Sequence, residues 1–203
     1  YWNALIEGGK SMMALDSYDW SSKYGWVQDK YGVSWQLYTG SKSDTPQKFS
    51  PTYMFTGDQV GKAGEAIEFY THVFPNSSIQ GIMKYSQEDK DNINFIKHAQ
   101  FRLNGFVAMA MDSSFDHGFQ FNDAISMVVE CDTQQEIDTY WTQLTGTGGQ
   151  EVACGWLKDK YGLSWQIIPK ALSKLLQDPV RAQRVMGALM QMKKLVIADL
   201  ENA

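Results

Sequence analysis

Hydrophobic and polar positions along residues 51–169 predict one strand, one helix and three further strands, twice in succession. In the first copy, apolar residues recur at helical spacing over 62–74, after a short apolar strand. Residues 95–103 then alternate between apolar and polar side chains, which is typical of a half-buried strand. The second copy begins with a strand at 125–131 and a helix that starts at Thr133. The pattern therefore predicts an α+β fold built from two β-α-β-β-β modules.

A second repetition links the two halves of the chain. Residues 154–169 read CGWLKDKYGLSWQIIP, and a close copy, YGWVQDKYGVSWQL, runs over 24–37. Each copy has the pattern of a hairpin, because the Asp can bond the turn backbone and the following Gly supplies a positive φ. Residues 1–40 therefore correspond to the end of a helix and three strands of a further module. Nine extra residues fall within 10–22 of this copy.

These repeats divide the chain into four segments. Residues 1–40 are predicted to be the C-terminal remnant of a first, incomplete domain, and the polar stretch 41–50 is predicted to be a linker. Residues 51–169 form the complete domain, and residues 170–203 form a helical tail. The tail carries an apolar stripe at helical spacing, made of Val185, Leu189, Met192, Val196 and Leu200. Packing of this stripe onto the protein is the preferred interpretation, and a dimer contact is the other.

Charge and composition narrow the classes of partner. The 203 residues have a formal net charge of −5, which argues against nucleic acid or an anionic membrane surface as a partner. No apolar run reaches the length of a membrane span, and no signal peptide pattern opens the sequence. Cys131 and Cys154 lie in apolar, strand-like runs and are expected to be buried, reduced thiols. A cytoplasmic location is therefore expected.

Two β-α-β-β-β modules that form a cupped sheet resemble the vicinal oxygen chelate superfamily, which includes glyoxalase, bleomycin-resistance proteins and extradiol dioxygenases. Four stretches narrow the resemblance: FTGDQVGKAGEAIEFYTHVFPNSSI, KHAQFRLNG, AISMVVECDTQQEIDTYW and CGWLKDKYGLSWQIIP. They are similar to the PhnB-like proteins, which are often labelled 3-demethylubiquinone-9 3-methyltransferase domains. The resemblance implies paired modules in a cupped mixed sheet of the glyoxalase/bleomycin-resistance type, followed by a helical C-terminal tail.

Enzymes of this superfamily hold a divalent metal in the cup with His and Glu side chains, and this sequence departs from that pattern. The first strand, 51–55, contains neither His nor Glu. Ile125 and Ser126 stand where the second module usually has a His, and Gln166 stands where a Glu is usual. A neutral amide is a poor ligand for a divalent ion compared with a carboxylate. The resemblance, residue by residue, therefore predicts a protein without a bound metal.

His98 and Glu130 are the best remaining candidate ligands, but two ligands are too few for a convincing metal site. His98 is interpreted as a hydrogen-bonded cavity or surface histidine, and Glu130 as the partner of Arg102 or Lys158 in a salt bridge. The glycine-rich stretch 57–64 lacks the parallel-sheet context of a nucleotide-type cofactor loop, so it is interpreted as a connecting turn. No cofactor is predicted.

Two classes of function remain, beside a third, structural possibility that the repeat serves assembly only. The preferred hypothesis is a metal-free protein, of undecided catalytic ability, that binds an unknown small molecule in the sheet cup. The residues predicted to line this cup are Phe55, His98, Gln100, Arg102, Glu130, Trp156 and Gln166. The alternative is a metal-dependent lyase, isomerase or dioxygenase, or the methyltransferase that the family label implies. Because residues 1–40 combine an apolar face with unpaired strand edges, we expect them to pack against another sheet, and we expect a homodimer.

Overall fold

The structure is a computed structural model, and it describes residues 1–40, 47–146 and 148–203. Residues 41–46, which make up most of the predicted linker, lie outside the described residues. Contacts between Cα atoms divide the chain into two compact units, Tyr1–Phe49 and Ser50–Ala203. In the described part of the chain, no helix combines the length and the apolar character that crossing a bilayer requires.

The shorter unit, Tyr1–Phe49, is a short helix followed by a three-stranded antiparallel sheet in the order β1-β2-β3. Its elements are α1 (Trp2–Ile6), β1 (Lys10–Tyr18), β2 (Ser21–Gln28) and β3 (Ser34–Tyr38). The extra residues of this copy lengthen β1 and β2 into a long hairpin. Near its turn the ring of Trp20 contacts those of Tyr18 and Tyr24, with centroids 5.5 and 4.4 Å apart. The unit has the predicted helix and three strands; its origin in an incomplete domain stays a prediction.

The longer unit contains two modules of the same element order and then a helical tail. Module 1 consists of β4 (Thr52–Phe55), a single 3-10 turn (Gly57–Gln59), α2 (Ala63–Val73), β5 (Ser78–Lys84), β6 (Ile96–Leu103) and β7 (Phe106–Asp112). Module 2 consists of β8 (Ser126–Cys131), α3 (Gln134–Thr145), β9 (Gln150–Glu151), β10 (Trp156–Lys158) and β11 (Ser164–Pro169). The tail consists of α4 (Ala171–Leu175), α5 (Pro179–Leu189) and α6 (Ile197–Glu201).

Both modules have the same sheet topology. The strand orders are β4-β7-β6-β5 and β8-β11-β10-β9, so the first strand of each module pairs with its last strand. These two pairs, β4 with β7 and β8 with β11, are parallel, and the other pairs are antiparallel. The parallel pairing follows from the helical crossover, which returns the chain in the same direction. The predicted α+β fold with paired β-α-β-β-β modules is confirmed.

One core joins the two modules on the side where their helices lie. In module 1 the core-facing strand positions are Tyr53, Phe55, Ala99, Phe101, Leu103, Ala108 and Ala110, which pack with α2. In module 2, Trp165 and Ile167 of β11 belong to the same core and pack with α3. Because side chains alternate along a strand, the positions between these point to the opposite face. We call that opposite face the distal face of each module sheet.

The repeated hairpin turn is held by one carboxylate in each copy. Asp159 is 3% exposed and accepts hydrogen bonds from the backbone N–H groups of Tyr161 and Leu163, at 2.8 and 3.1 Å. Its second oxygen accepts the indole N–H of Trp165 at 2.8 Å and the hydroxyl of Tyr70, on α2, at 2.7 Å. The hairpin predicted for this stretch is therefore confirmed, and its Trp165 lies in the core.

The equivalent turn in the shorter unit keeps three of these four bonds. Asp29 accepts the N–H groups of Tyr31 and Val33, each at 2.9 Å, and the indole N–H of Trp35 at 2.9 Å. The glycine that follows, Gly32, has a φ of +87°, as does its counterpart in module 2. The positive φ explains why both copies need glycine at this position.

The tail forms a smaller core of its own. Val185, Leu189 and Leu200 of the predicted stripe are buried there, and Met192 packs against them. The packing interpretation is therefore confirmed for these four residues, which lie on α5, on α6 and on the turn between them. Both cysteines are free thiols, as predicted, and Cys131 is buried. Cys154 is only half-buried, so the expectation of burial is wrong for this residue.

Candidate functional site

The distal face of the module 1 sheet carries three of the predicted cup residues on one strand. His98, Gln100 and Arg102 alternate with the core residues of β6, so all three lie on this face. By cross-strand register, Met83 of β5 pairs with His98 and Ser78 pairs with Arg102. The predicted polar face of this strand is thus present, and apolar residues of the neighbouring strands flank it.

A depression of about 380 Å³ lies on this face at the β5 edge of the sheet, lined by Gln80, Gly81, Ile82, Met83, His98 and Gln100. The amide of Gln100 donates a 3.0 Å hydrogen bond to the side-chain oxygen of Gln80. His98 is exposed at its surface, but the atoms around its ring remove part of its hydration and lower the pKa of the imidazole. At neutral pH this ring is therefore neutral and able both to donate and to accept a hydrogen bond.

The remaining polar cup residues lie on the distal face of the module 2 sheet. Gln166 is in register with Trp156 on β10, and Glu130 is in register with Ile168 on β11. The amide of Gln166 donates a 2.8 Å hydrogen bond to Ser126 on β8. Glu130 is exposed.

Two sequence-based assignments need correction. Lys158, a predicted partner of Glu130, instead forms an ion pair with Asp123 at 3.1 Å. Phe55 is fully buried on the core side of β4, where its ring contacts Phe121 and Tyr161. It is therefore a core residue and does not line the distal face, because alternation along β4 points it towards α2.

The sheet depression contains His98 and Gln100 but not the module 2 residues of the predicted cup. A cavity shared by both sheets stays a prediction. Gln80 and Met83 were missed because β5 carries two register shifts, between Ile79 and Gly81 and between Met83 and Lys84. Such bulges break the simple alternation by which a face is read from sequence.

A larger depression, of about 480 Å³, lies at the loop between the modules. Its walls are mostly consecutive residues of that loop, together with Thr56, Gly57 and Val60. The one histidine there, His117, forms a 2.7 Å hydrogen bond with Ser113, which anchors the loop to itself. We assign the candidate site to the sheet depression, because its polar groups project from hydrogen-bonded strands and are held in fixed register.

The donor set does not fit the divalent metal of the superfamily. At the positions where the resemblance implies ligands, Gln166 and Ser126 are hydrogen-bonded to each other, and the distal positions of β4 are Thr52 and Met54. Among the described residues, no group of three or more His, Cys, Asp or Glu side chains is placed to hold a metal ion. Amide, hydroxyl and thioether groups are poor substitutes for the usual imidazole and carboxylate ligands.

The glycine-rich turn before α2 does not offer a free helix N-terminus to a nucleotide-type cofactor, because a carboxylate already bonds it. The backbone N–H of Ala63 donates to Asp112 at 3.1 Å, and the other carboxylate oxygen accepts the N–H of Ile96 at 2.9 Å. Burial raises the pKa of Asp112, although these bonds oppose the shift. The helix end thus already has an acidic partner from β7, which would repel a phosphate. The parallel pairing of β4 was not expected, but the turn is a connector as predicted.

Comparison with known proteins supports the same family. The family described as 3-demethylubiquinone-9 3-methyltransferase matches residues 1–38 and 47–168. No curated protein matches the chain. Among solved structures, a putative 3-demethylubiquinone-9 3-methyltransferase, PhnB protein, from Bacillus cereus is 38% identical, with a TM-score of 0.55. The match covers 61% of this chain and 99% of that protein.

Two more distant structures are also similar. A protein from Pseudomonas aeruginosa is 19% identical with a TM-score of 0.50, over 61% of this chain and 97% of its own. The fosfomycin resistance protein FosX from Listeria monocytogenes, complexed with Mn(II) and sulfate, is 12% identical with a TM-score of 0.44. That match covers 60% of this chain and 89% of FosX. The fold, the repeated modules and the family match agree: this chain belongs to the PhnB-like, 3-demethylubiquinone-9 3-methyltransferase family.

Proposed function

We propose that this protein binds a small molecule on the distal face of the module 1 sheet, and that it does so without a metal. The observation that carries the proposal is the depression of about 380 Å³ that contains His98 and Gln100. Binding sites for small molecules are concave, and they combine apolar walls with a few convergent polar groups. Ile82 and Met83 supply the apolar wall here, and the imidazole and the amides supply the polar groups.

The polar groups suit hydrogen bonding to a ligand rather than coordination of a metal. The bond between Gln80 and Gln100 uses one of the four amide N–H donors of the pair, so three donors and further carbonyl lone pairs can contact a ligand. The lowered pKa of His98 keeps its ring neutral, so the ring can serve as donor or acceptor. Methionine side chains are flexible and polarizable, so Met83 can adapt to ligands of different shape.

The alternatives are a metal-dependent lyase, isomerase or dioxygenase, and the methyl transfer named in the family's description. The first requires ligands that Gln166 and Ser126 do not supply. The second requires a site for a methyl donor, and the acidic partner of Ala63 disfavours a nucleotide-type site at the glycine-rich turn. The metal-dependent alternative is an outcome of the experiment below.

The test is a thermal-shift screen of small aromatic and oxygen-rich compounds on the dialysed protein, together with metal analysis of the same sample. We expect at least one compound to raise the unfolding midpoint, and His98→Ala to abolish that shift. The matched control is His72→Ala, which removes an exposed imidazole from α2 and should leave the shift unchanged.

Two results would contradict the proposal. A shift that survives His98→Ala would show that the compound binds elsewhere. Stoichiometric zinc, nickel, manganese or iron that survives dialysis and is lost in Glu130→Ala would favour the metal-dependent alternative.

A further inference from the structure

The distal face of the module 1 sheet has an unbalanced charge. The only Asp or Glu in strands β4 to β7 is Asp112, and it lies on the α2 side, where it caps the helix. Arg102, by contrast, is on the distal face, two strand positions from Gln100 and four from His98. This face therefore presents a fixed positive charge without a carboxylate from its own strands, in a chain whose formal net charge is −5.

Arg102 is half-buried, and within the described residues it makes no hydrogen bond or ion pair. Its cross-strand neighbours are Ser78 on β5 and Val107 on β7, and neither carries a charge. By comparison, Lys97 on the same strand pairs with Asp89 at 2.6 Å. A guanidinium has five N–H donors, and because no described protein group accepts those of Arg102, they are available to bond solvent or the oxygens of a ligand.

We propose that Arg102 binds the oxyanion of a ligand whose apolar part lies in the depression beside His98. This inference rests on the proposed binding function and adds the chemical class of the ligand: an amphiphilic anion with a carboxylate or phosphoryl group. A guanidinium matches the two oxygens of such a group with parallel hydrogen bonds.

The spacing of the strand supports one ligand that contacts all three polar residues. Side chains two positions apart on a strand lie roughly 7 Å from each other, so Arg102 is on the order of 14 Å from His98. Gln100 lies between them, and its amide can bond the part of the ligand that joins the anionic and apolar ends. Among the distal positions of the neighbouring strands, Met54 on β4 is half-buried and adds apolar surface, whereas Met109 on β7 is buried.

Two fluorescent probes that share the same rings and differ in one sulfonate distinguish the contribution of the ligand's charge from that of its apolar contacts. The anionic probe is 8-anilinonaphthalene-1-sulfonate, and the neutral probe is N-phenyl-1-naphthylamine, which lacks the sulfonate. Dissociation constants are measured for the full chain and for Arg102→Gln, Arg102→Lys and the control Arg184→Gln, which removes an exposed cation from α5. The His98 ring proton resonances, followed by NMR, report whether each probe reaches the depression.

We expect the anionic probe to bind more tightly than the neutral one, and Arg102→Gln to weaken only the anionic probe, by about tenfold. Arg102→Lys should give a smaller loss, because it keeps the charge but not the planar fork. Arg184→Gln should change neither constant. Benzoate and phenyl phosphate should each displace the anionic probe, and the stronger competitor identifies the preferred oxyanion.

The failures of the two proposals are distinguishable. If both probes shift the His98 resonances and Arg102→Gln changes neither affinity, the oxyanion site is wrong and the binding depression stands. If neither probe shifts those resonances, the depression is not a binding site, and both proposals are overturned. Displacement by neither competitor would also overturn the oxyanion site.

Discussion

Replacing Asp159 by alanine should destabilise the longer unit more than any other single change in the hairpin turns. The carboxylate is 3% exposed and accepts four hydrogen bonds, two from the turn backbone and two from Tyr70 and Trp165. The bond from Tyr70 joins residues 89 positions apart in the chain, so it ties module 1 to module 2. Alanine would leave all four donors buried without their acceptor.

The expected magnitude follows from the balance of two effects. A buried donor left without a partner costs about 1–3 kcal/mol. Four such donors therefore set a large upper bound on the loss in the free energy of unfolding. Removing the carboxylate also relieves its own desolvation, which raises the pKa of Asp159 despite the four bonds. We therefore expect a net loss of about 3–5 kcal/mol in the free energy of unfolding, which is at the upper end of the effects of single substitutions. Tyr70→Phe removes one of the four bonds and should cost about 1–2 kcal/mol.

Urea unfolding measures the change, with local amide exchange as the second probe. At a slope of about 2 kcal/mol per molar urea, the midpoint of Asp159→Ala should fall by about 2 M. The amides of Tyr161 and Leu163, which bond the carboxylate directly, should lose protection first. Because exchange is followed residue by residue, it also reports the stability of the longer unit and of the shorter unit separately in the intact chain.

The repeat supplies the matched control. Asp29→Ala breaks the same turn bonds and the same indole bond in the shorter unit, but Asp29 is only half-buried, and among the described residues it accepts no tyrosine hydroxyl. Water can satisfy the donors that it leaves, so its effect should be much smaller. The reasoning is refuted if Asp159→Ala stays within about 1 kcal/mol of wild type, or if the two variants are equally destabilised.

Glu65→Gln should remove a pH-dependent contribution to stability: the hydrogen bond from Lys160 lowers the pKa of Glu65 to about 2 from its ordinary 4.5. The urea midpoint of wild type should exceed that of Glu65→Gln by a constant amount above pH 4.5, and this difference should vanish towards pH 2. A difference that does not change with pH would contradict this. Thr133→Ala should cost about 1 kcal/mol in thermal unfolding by removing the capping box of α3, whereas the exposed Thr142→Ala should not. The mass measured in solution should be that of a homodimer. Deletion of residues 1–45 should convert the dimer to a monomer or lower the stability. A monomeric protein whose stability the deletion does not change would refute both expectations.

The spacing of residue types along the sequence was sufficient to predict much of the fold. The order of strands and helices could be predicted from the spacing of apolar residues. That spacing has a period of two in strands and 3.6 in helices, and it is visible among neighbouring residues. The hairpin turn was also readable, since Asp159 and Gly162 act within a few residues of each other. The same holds for the capping box of α3, whose two members are three positions apart.

The candidate site depended more on tertiary structure. His98, Gln100 and Arg102 were found from alternation alone, because β6 is regular between its core residues. Gln80 was missed because bulges in β5 shift the register, and a bulge has no reliable local pattern.

Other features were decided only by which elements pack together. Phe55 is an apolar strand residue that could have faced either side, and it is buried because α2 covers that side of β4. The bond between Tyr70 and Asp159 and the pairing of Gln166 with Ser126 join residues 89 and 40 positions apart. A sequence determines which elements form through short-range spacing, whereas the partner of a distant side chain is set only when those elements fold onto one another.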